Sequence, residues 1–397
     1  MNLKLMMISP QPLSDLGGVP IHLIHLATAM VKLGVDVEMI MPKYGSFKNS
    51  TFSFNLTSIS LNNRLKTLRT IEYSFKAYKY LLKSKNNFDA VHGSQWSMFY
   101  PCINKQALGL PLLTKFHGTY LFGTIYKFLL NKKHAMIHDI PQILMTPLYT
   151  YIESKIAEKS DGLIFINKSL KKEVEAFVYR KLCRDVRIIY NGVDTKKFRP
   201  MNHNCRDKYR MSADDKILLF VGRLEPLKGP HKLISVARNL MRDYPNLKVV
   251  IAGDGDPVYI RFLLKMAKPK NRFIFMGRVS HSKLPEIYNL ADVFISPSPY
   301  SGGNTLLEAM ASGIPIVAVK GLGFEELIKH GENGFIVTDS DTEYGLERCL
   351  RTILDNEVLL DTIGRNARIF AEKNLSWEKT AKETLDFIIS IVNGSVR

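Results

Sequence analysis

Short apolar runs at 3–8, 35–41, 90–92, 112–116, 162–166 and 186–190 alternate with helix-length periodic segments. A parallel sheet requires that alternation, because strands joined by helical crossovers are buried on both faces and read as near-continuous apolar runs. Residues 191–216 interrupt the pattern: they are polar, contain Pro200 and hold few large apolar side chains, as a connection between domains does. Apolar runs then resume at 217–221, 248–252, 273–276, 293–296, 316–319 and 334–337, and a long helical pattern closes the chain at 377–392. The sequence therefore predicts an α/β protein with two doubly wound, Rossmann-like domains, 1–190 and 217–375, joined by 191–216. A final helical segment, 376–397, is expected to pack back toward the first domain. At 397 residues and 46% hydrophobic content the chain can fill two cores. Loops at the carboxyl ends of such sheets hold ligands, so two of them are expected to face each other across a cleft.

Composition narrows the function classes. The formal charge of +18 is uneven: residues 1–190 hold 25 Lys and Arg against 12 Asp and Glu, and residues 43–133 alone hold 14 against 2. That stretch implies an anionic partner or surface, with nucleic acid and anionic lipid as the two candidates. Cys102, Cys183, Cys205 and Cys349 are widely separated and form neither a C-x-x-C nor a Cys/His ligand spacing, which argues against a metal site or disulfide framework. No apolar run reaches the 18 or so residues of a membrane span, and the opening residues read as a strand rather than a targeting segment. A cytoplasmic protein, peripheral on a membrane's inner face if its basic half meets lipid, is the expectation.

Every notable motif falls at the end of a predicted strand. Gly222-Arg-Leu-Glu-Pro-Leu-Lys-Gly229 offers Arg223 and Lys228 beside flexible backbone. Ser301-Gly-Gly-Asn-Thr-Leu-Leu-Glu-Ala309 opens a helix, whose first turn favours an anion through its amide groups and dipole. Together they read as a cradle for phosphate and sugar. Gly17 and Gly18 follow the first strand, with His22 and His25 on the next turns, and are either a plain strand-to-helix turn or backbone beneath a phosphate or acceptor. His117, followed by Gly118, ends the run 112–116 and is placed to present an imidazole at the strand ends.

The order of Gly17-Gly18, His117-Gly118, Asn191-Gly-Val-Asp194, the Gly222–Gly229 segment, Gly253-Asp-Gly255 and Leu307-Glu-Ala-Met-Ala-Ser-Gly313 resembles the retaining glycosyltransferases of family four, which have the GT-B fold. The stretch Ile188-Ile-Tyr-Asn-Gly-Val-Asp194 through Phe198 and Pro200 is close to that family's domain-crossing segment, and Phe335 after His330-Gly-Glu-Asn-Gly334 matches its late loop. The resemblance implies that Arg223 and Lys228 bind the donor diphosphate and stabilise the leaving group, that Glu308 accepts from the ribose hydroxyls, and that Gly302, Gly303 and Asn304 face the diphosphate or sugar. It also implies that His117 lies near the reacting sugar, with Gly17, Gly18 and His22 on the acceptor side. Tyr300 stands where the family commonly has a glutamate contacting donor-sugar hydroxyls; a phenol lacks the carboxylate's charge and paired oxygens, so this position leaves donor choice open.

The resemblance implies a nucleotide-sugar donor, a glycan or lipid-linked acceptor, no cofactor and no metal. Asp254 and Asp256 form a D-x-D spacing, but they follow the predicted strand 248–252 where the family has a glycine-rich turn, and a hard cation would want further oxygen ligands. Asp339 and Asp341 read as a solvated loop. Residues 61–83 read as a helix with one stripe of Leu61, Leu65, Leu68, Ile71, Phe75, Tyr78 and Leu82, and another of Lys66, Arg69, Tyr73, Lys76, Tyr80 and Lys83. The second stripe is either a solvated face or one that rests on an anionic bilayer. Tyr120–Leu130 with Lys132 and Lys133 is either an apolar wall for a lipid-linked acceptor or a buried helix. Two rival functions stand beside transfer: a sugar-nucleotide-binding protein without turnover, and a nucleic-acid-binding protein, which the lack of any recognised module disfavours. A phosphorylase is the nearer catalytic alternative.

Overall fold

The computed structural model describes residues 3–12, 18–43, 52–62, 66–121, 123–125, 143–178, 182, 185–201, 205–299, 303–321, 323–339 and 341–395. Its contacts divide into two compact units: the first takes in the described residues up to Ile125, from there to Gly192, and Trp377 onward, and the second runs over Val193–Ser376.

The first unit is a seven-stranded sheet of β1 (Lys4–Ile8), β2 (Asp36–Lys43), β3 (Asn55–Ser60), β4 (Ala90–Ser94), β5 (Leu112–Phe116), β6 (Gly162–Phe165) and β7 (Asp185–Ile188), in the order β3-β2-β1-β4-β5-β6-β7. Every pairing is parallel. The side-chain period of two splits β1 cleanly: Leu5 and Met7 join a core with Leu23, Leu26 and Met30 of α1 (Gly18–Lys32), while Met6 and Ile8 face the opposite core. The sequence reading passed over β3. It lies at the sheet edge, pairs only with β2 and alternates half-buried and exposed side chains in the polar run NLTSIS, so it lacks the apolar signature of a doubly covered strand.

The helix α2 (Lys66–Ser84) overturns the expected stripes. Tyr73, Ser74, Ala77 and Leu81 are the buried positions among the described side chains, and Leu68, Phe75 and Leu82 are each about two-fifths exposed. Tyrosine decides this register. The Tyr73 hydroxyl donates to the carbonyl of Ile40 at 2.9 Å and the Tyr80 hydroxyl to Glu38, so the phenols lie over the sheet instead of on the solvated side. Tyr120 and Leu121 are described, but most of the 120–130 segment, with Lys132 and Lys133, lies outside the described residues.

The second unit repeats the winding: β8 (Lys216–Val221), β9 (Leu247–Ala252), β10 (Phe273–Gly277), β11 (Val293–Ser296), β12 (Ile316–Val319) and β13 (Phe335–Val337) lie parallel in the order β10-β9-β8-β11-β12-β13. In both sheets the strand order reverses beside the first strand, between β1 and β4 and between β8 and β11. The expected connection 191–216 packs into this unit from Val193 onward. Arg206 there pairs with Asp292, one terminal guanidinium nitrogen donating to both carboxylate oxygens at 2.8 Å. Val193 N–H donates to the carbonyl of Leu375 at 2.7 Å, so the chain leaves and re-enters the first unit at adjacent points. Its last helix, Trp377–Ser395, shares a core with α1: Ala381, Phe387, Ile388 and Ile391 join Leu23 and Leu26. Among the described residues, no helix is long and apolar enough to cross a membrane.

Candidate active site

In the second unit the backbone at the carboxyl ends of β8, β9 and β10 is stacked too closely for side chains. Gly222 N–H donates to the carbonyl of Ala252 at 3.0 Å, Leu224 N–H to that of Asp254 at 2.8 Å, and Gly253 N–H to that of Gly277 at 2.8 Å. A Cβ on Gly253, whose φ is +152°, would stand 1.8 Å from the Gly222 oxygen. Only glycine permits this approach. The stack directs Arg223 outward, with its side chain 73% exposed and its guanidinium 3.1 Å from the Glu225 carboxylate.

One turn of 3₁₀ helix, Pro226–Lys228, follows, closed by Gly229 at φ +73° before α3 (Pro230–Leu240) begins at a proline. The Lys228 ammonium is partly buried; burial lowers its pKa and Arg223 adds to the effect, while Glu225 opposes it. The loop after β11 meets this turn, since the Ser298 hydroxyl donates to the carbonyl of Leu227 at 2.6 Å and a Cβ on Gly229 would lie 3.1 Å from the Pro297 oxygen. The same loop leads to Gly303, at φ +71°, and to α4 (Asn304–Ala311). The turn with both cations and the segment that starts α4 are therefore joined at the reversal point of the sheet, where such folds bind ligands. Tyr300 and Gly302 lie outside the described residues, as does Gly17.

Glu308, on α4, is nearly buried and already engaged. Its Oε2 accepts from the Tyr288 hydroxyl at 2.8 Å, and its Oε1 lies 3.1 Å from Nε2 of His281, whose Nδ1 lies 2.6 Å from Nζ of Lys197. Sequence reading found none of these three partners. Lys197 sits among the unassigned positions of the 188–200 segment and His281 in a polar turn with no motif around it. Asp254 and Asp256 have local roles: Asp256 caps the helix Pro257–Met266 by accepting from Val258 and Tyr259, and Asp254 accepts from Gly255 N–H. Asp341, expected in a solvated loop, likewise caps a helix by accepting from Glu343 and Tyr344, and Asp339 pairs with Arg348.

The first unit builds a different cluster. His22 on α1 is fully buried, its ring 5.0 Å from that of His117 and 5.2 Å from that of Trp377. His117 follows β5, with Nε2 3.4 Å from the Ser94 hydroxyl. Gln95, in a positive-φ conformation at +31°, grips this turn: it donates to the carbonyl of Gly118, and its carbonyl oxygen lies 3.5 Å from the His117 N–H. Glu153 accepts from Trp96 Nε1 at 2.9 Å and from Tyr120 N–H at 3.0 Å, and burial pushes its carboxyl up to about 8. Lys115, also fully buried, has no hydrogen-bond partner for its amine among the described residues, and burial brings its pKa down to about 7. The signal for it was available: a lysine inside the apolar run 112–116 must go into the core. Burial, then the Lys115 charge, holds the imidazoles of His22 and His117 well below their ordinary pKa, and burial brings His92 down to about 3, so all three are neutral at pH 7. Gly18 begins α1 beside this cluster. A separate open cavity of about 410 Å³ lies at the amino ends of β2 and β3, lined by residues such as Phe52, Phe54 and Asp36, away from all these groups.

Residues 16–197 match the family model described as Glycosyltransferase Family 4, and residues 202–370 match the one described as Glycosyl transferases group 1. An uncharacterized glycosyltransferase of Methanocaldococcus jannaschii is 29% identical over 389 residues, covering 93% of each chain. Sucrose-phosphate synthase from Thermosynechococcus elongatus superposes with a TM-score of 0.82 at 20% identity, over 99% of this chain and 100% of that one. Anabaena HepE, solved in complex with UDP, superposes with a TM-score of 0.73 at 19% identity, over 98% and 100%.

Proposed function

The chain belongs to the family 4, group 1 glycosyltransferases and has their GT-B fold, and from that premise we propose that it transfers a sugar from a nucleotide-sugar donor to an acceptor hydroxyl with retention at the anomeric carbon. The observation that carries this reading is the junction of the Arg223–Lys228 turn with the loop leading into α4, made by Ser298 and Leu227 at 2.6 Å. One diphosphate at that junction meets a guanidinium, an ammonium and the positive end of a helix. HepE, which shares the fold, holds UDP.

In this reading the acceptor oxygen bonds to the anomeric carbon as that carbon's bond to the diphosphate breaks on the same face, and the acceptor hydroxyl's proton passes to the departing diphosphate oxygen. Arg223 and Lys228 stabilise the charge that grows on the departing oxygen, an effect larger in the transition state than in the bound donor. The two side chains supply the positive charge without a metal. Glu308 takes the ribose hydroxyls, Gly303 and Asn304 face the diphosphate or sugar, and His117, a neutral imidazole, serves as a hydrogen-bonding group on the acceptor side with Gly18 and His22. Lys228→Ala is expected to lower donor-dependent turnover at least tenfold, about 1.4 kcal/mol. Anomeric configuration of the product by NMR tests retention. Turnover near that of the parent, or an inverted product, overturns the assignment; donor binding with no transfer by the parent favours the binding-protein alternative, for which Tyr300 in place of a carboxylate is the specific reason.

A lipid-linked or membrane-surface acceptor is supported by the corrected face of α2. Leu68, Phe75 and Leu82 are exposed beside Arg69, Lys76, Lys79 and Lys83, and Leu144, Leu148 and Tyr151 are exposed elsewhere on the same unit. Apolar side chains flanked by cations suit an anionic bilayer, each cation contributing about 1 kcal/mol near its surface. Co-sedimentation with phosphatidylglycerol vesicles at low salt, lost at high salt, is the expected outcome; no sedimentation at low salt removes this reading.

A further inference from the structure

We infer that His281 is a positioning residue for Glu308, held in one tautomer by Lys197. The inference rests on the proposed role of Glu308 as the acceptor for ribose hydroxyls. A carboxylate that must receive two hydroxyls in a fixed geometry needs its own orientation set by other groups. Here the setting is explicit. Nζ of Lys197 lies 2.6 Å from Nδ1 of His281, and an ammonium has donors only, so Nδ1 must accept. The ring proton of the neutral imidazole is then on Nε2, which lies 3.1 Å from Oε1 of Glu308 and donates to it. The Tyr288 hydroxyl, 2.8 Å away, donates to Oε2. Each carboxylate oxygen thus has one protein donor, which fixes the carboxylate plane and leaves its other lone pairs for a ligand.

The three supports come from separate places in the chain and converge within the second unit. Lys197 is in the stretch that follows Val193, His281 is in the turn after β10, and Tyr288 ends the short helix Leu284–Tyr288. Phe198, fully buried, packs its ring 5.4 Å from that of His281 and 5.8 Å from that of Tyr288, and so braces both donors from one side. Asp194 accepts from the N–H groups of Lys196 and Lys197 at 3.1 and 3.0 Å, which holds the backbone of the lysine. An arrangement that served only to cap a helix or fill the core would not need an ammonium behind the imidazole. Burial lowers the pKa of Lys197, while Glu308 and Asp194 raise it, so the cost of its burial is offset by the carboxylate at the far end of the chain of bonds.

The test separates ribose recognition from overall integrity. UDP and GDP are titrated calorimetrically against the parent protein, and the tighter of the two is compared with its 2′,3′-dideoxy counterpart. The ratio of the two affinities reports the ribose contact alone. In the parent, ribonucleotide preference of about tenfold or more is expected, and Glu308→Gln should abolish it. His281→Ala should reduce the preference by at least threefold with little change in affinity for the dideoxy compound. His281→Gln, whose amide can donate from near the Nε2 position, should recover most of it. Lys197→Met, which keeps the apolar stem and removes the donor, should reduce it by about twofold. Thermal melts of each variant monitor folding, and a preference retained in full by well-folded His281→Ala and Lys197→Met overturns the inference while leaving Glu308 in place. Equal binding of both compounds by the parent overturns the ribose reading itself, and the inference with it.

Discussion

At the strand ends of the second unit the cations stay within reach of solvent, Arg223 with most of its side chain exposed and Lys228 partly covered, and each has a carboxylate nearby in Glu225. At the corresponding ends of the first unit His22, His92 and Lys115 are wholly buried, and the lysine's charge is favoured by that of Glu383 without a hydrogen bond to its amine among the described residues. The same winding therefore supports two kinds of polar site. One keeps its charge for an anion that arrives from solution; the other holds its histidines neutral and brings its lysine close to losing its proton at pH 7.

The sharpest way to break the comparison is through the backbone beneath Arg223. Gly253→Ala sets a methyl group 1.8 Å from the Gly222 oxygen at a φ of +152°, and relief requires β8 and β9 to part at their carboxyl ends. A loss on the order of 3 kcal/mol or more in urea unfolding followed by circular dichroism is expected. An unchanged midpoint would mean that the stack does not hold the cationic turn.

Next comes the buried amine. An amine whose pKa is about 7 when folded, against its ordinary 10.5, binds fewer protons than in the unfolded chain across that interval. Its cost to stability is complete below pH 7 and fades as pH rises toward 10.5. Lys115→Met should therefore stabilise the protein by roughly 2 kcal/mol at pH 6 and by much less at pH 10. A melting temperature that falls at pH 6 would show that the amine carries a compensated charge, and the contrast between the two units would be lost.

The histidines give a smaller effect of the same sign in a more acidic window. His22, His92 and His117 have depressed values when folded, so each contributes stability that is present above the ordinary 6.5 and is lost as pH falls below it. Each histidine is expected to account for up to about 1 kcal/mol per pH unit between pH 6 and 5. Both tryptophans, Trp96 and Trp377, are in the first unit, so their fluorescence follows this loss directly. His22→Phe should make the acid slope shallower; an equal slope would mean that His22 becomes charged without unfolding.

The smallest effect separates the two faces of α2. Tyr73→Phe removes a buried hydroxyl from the Ile40 carbonyl and should cost about 1 kcal/mol, whereas Leu68→Gln should change stability by less than about 0.5 kcal/mol. Equal costs in chemical denaturation would return Leu68 to the core.

Much of this architecture was legible before any coordinates. Among the described residues the apolar runs marked every strand except β3, because a strand covered on both faces must be apolar along its length, and a polar edge strand escapes that rule. The glycine-rich segments marked the strand ends for an equally local reason, since backbone packed this closely excludes side chains. The buried stripe of α2 is not legible locally, because its many apolar and tyrosine positions fit more than one helical face, and the carbonyl of Ile40 and the carboxylate of Glu38 decide where the phenols go.

The sequence by itself determined the fold class and which residue types stand at the ends of the strands, because periodicity and glycine are properties of neighbours along the chain. Tertiary structure alone decided the partners: His281 and Tyr288 meet Glu308, with Lys197 behind His281, from positions up to 111 residues apart, and Lys115 is buried in the strand whose Leu113 shares a core with α1 and the last helix. Hydrogen bonding and desolvation depend on distance in space, which no local pattern encodes.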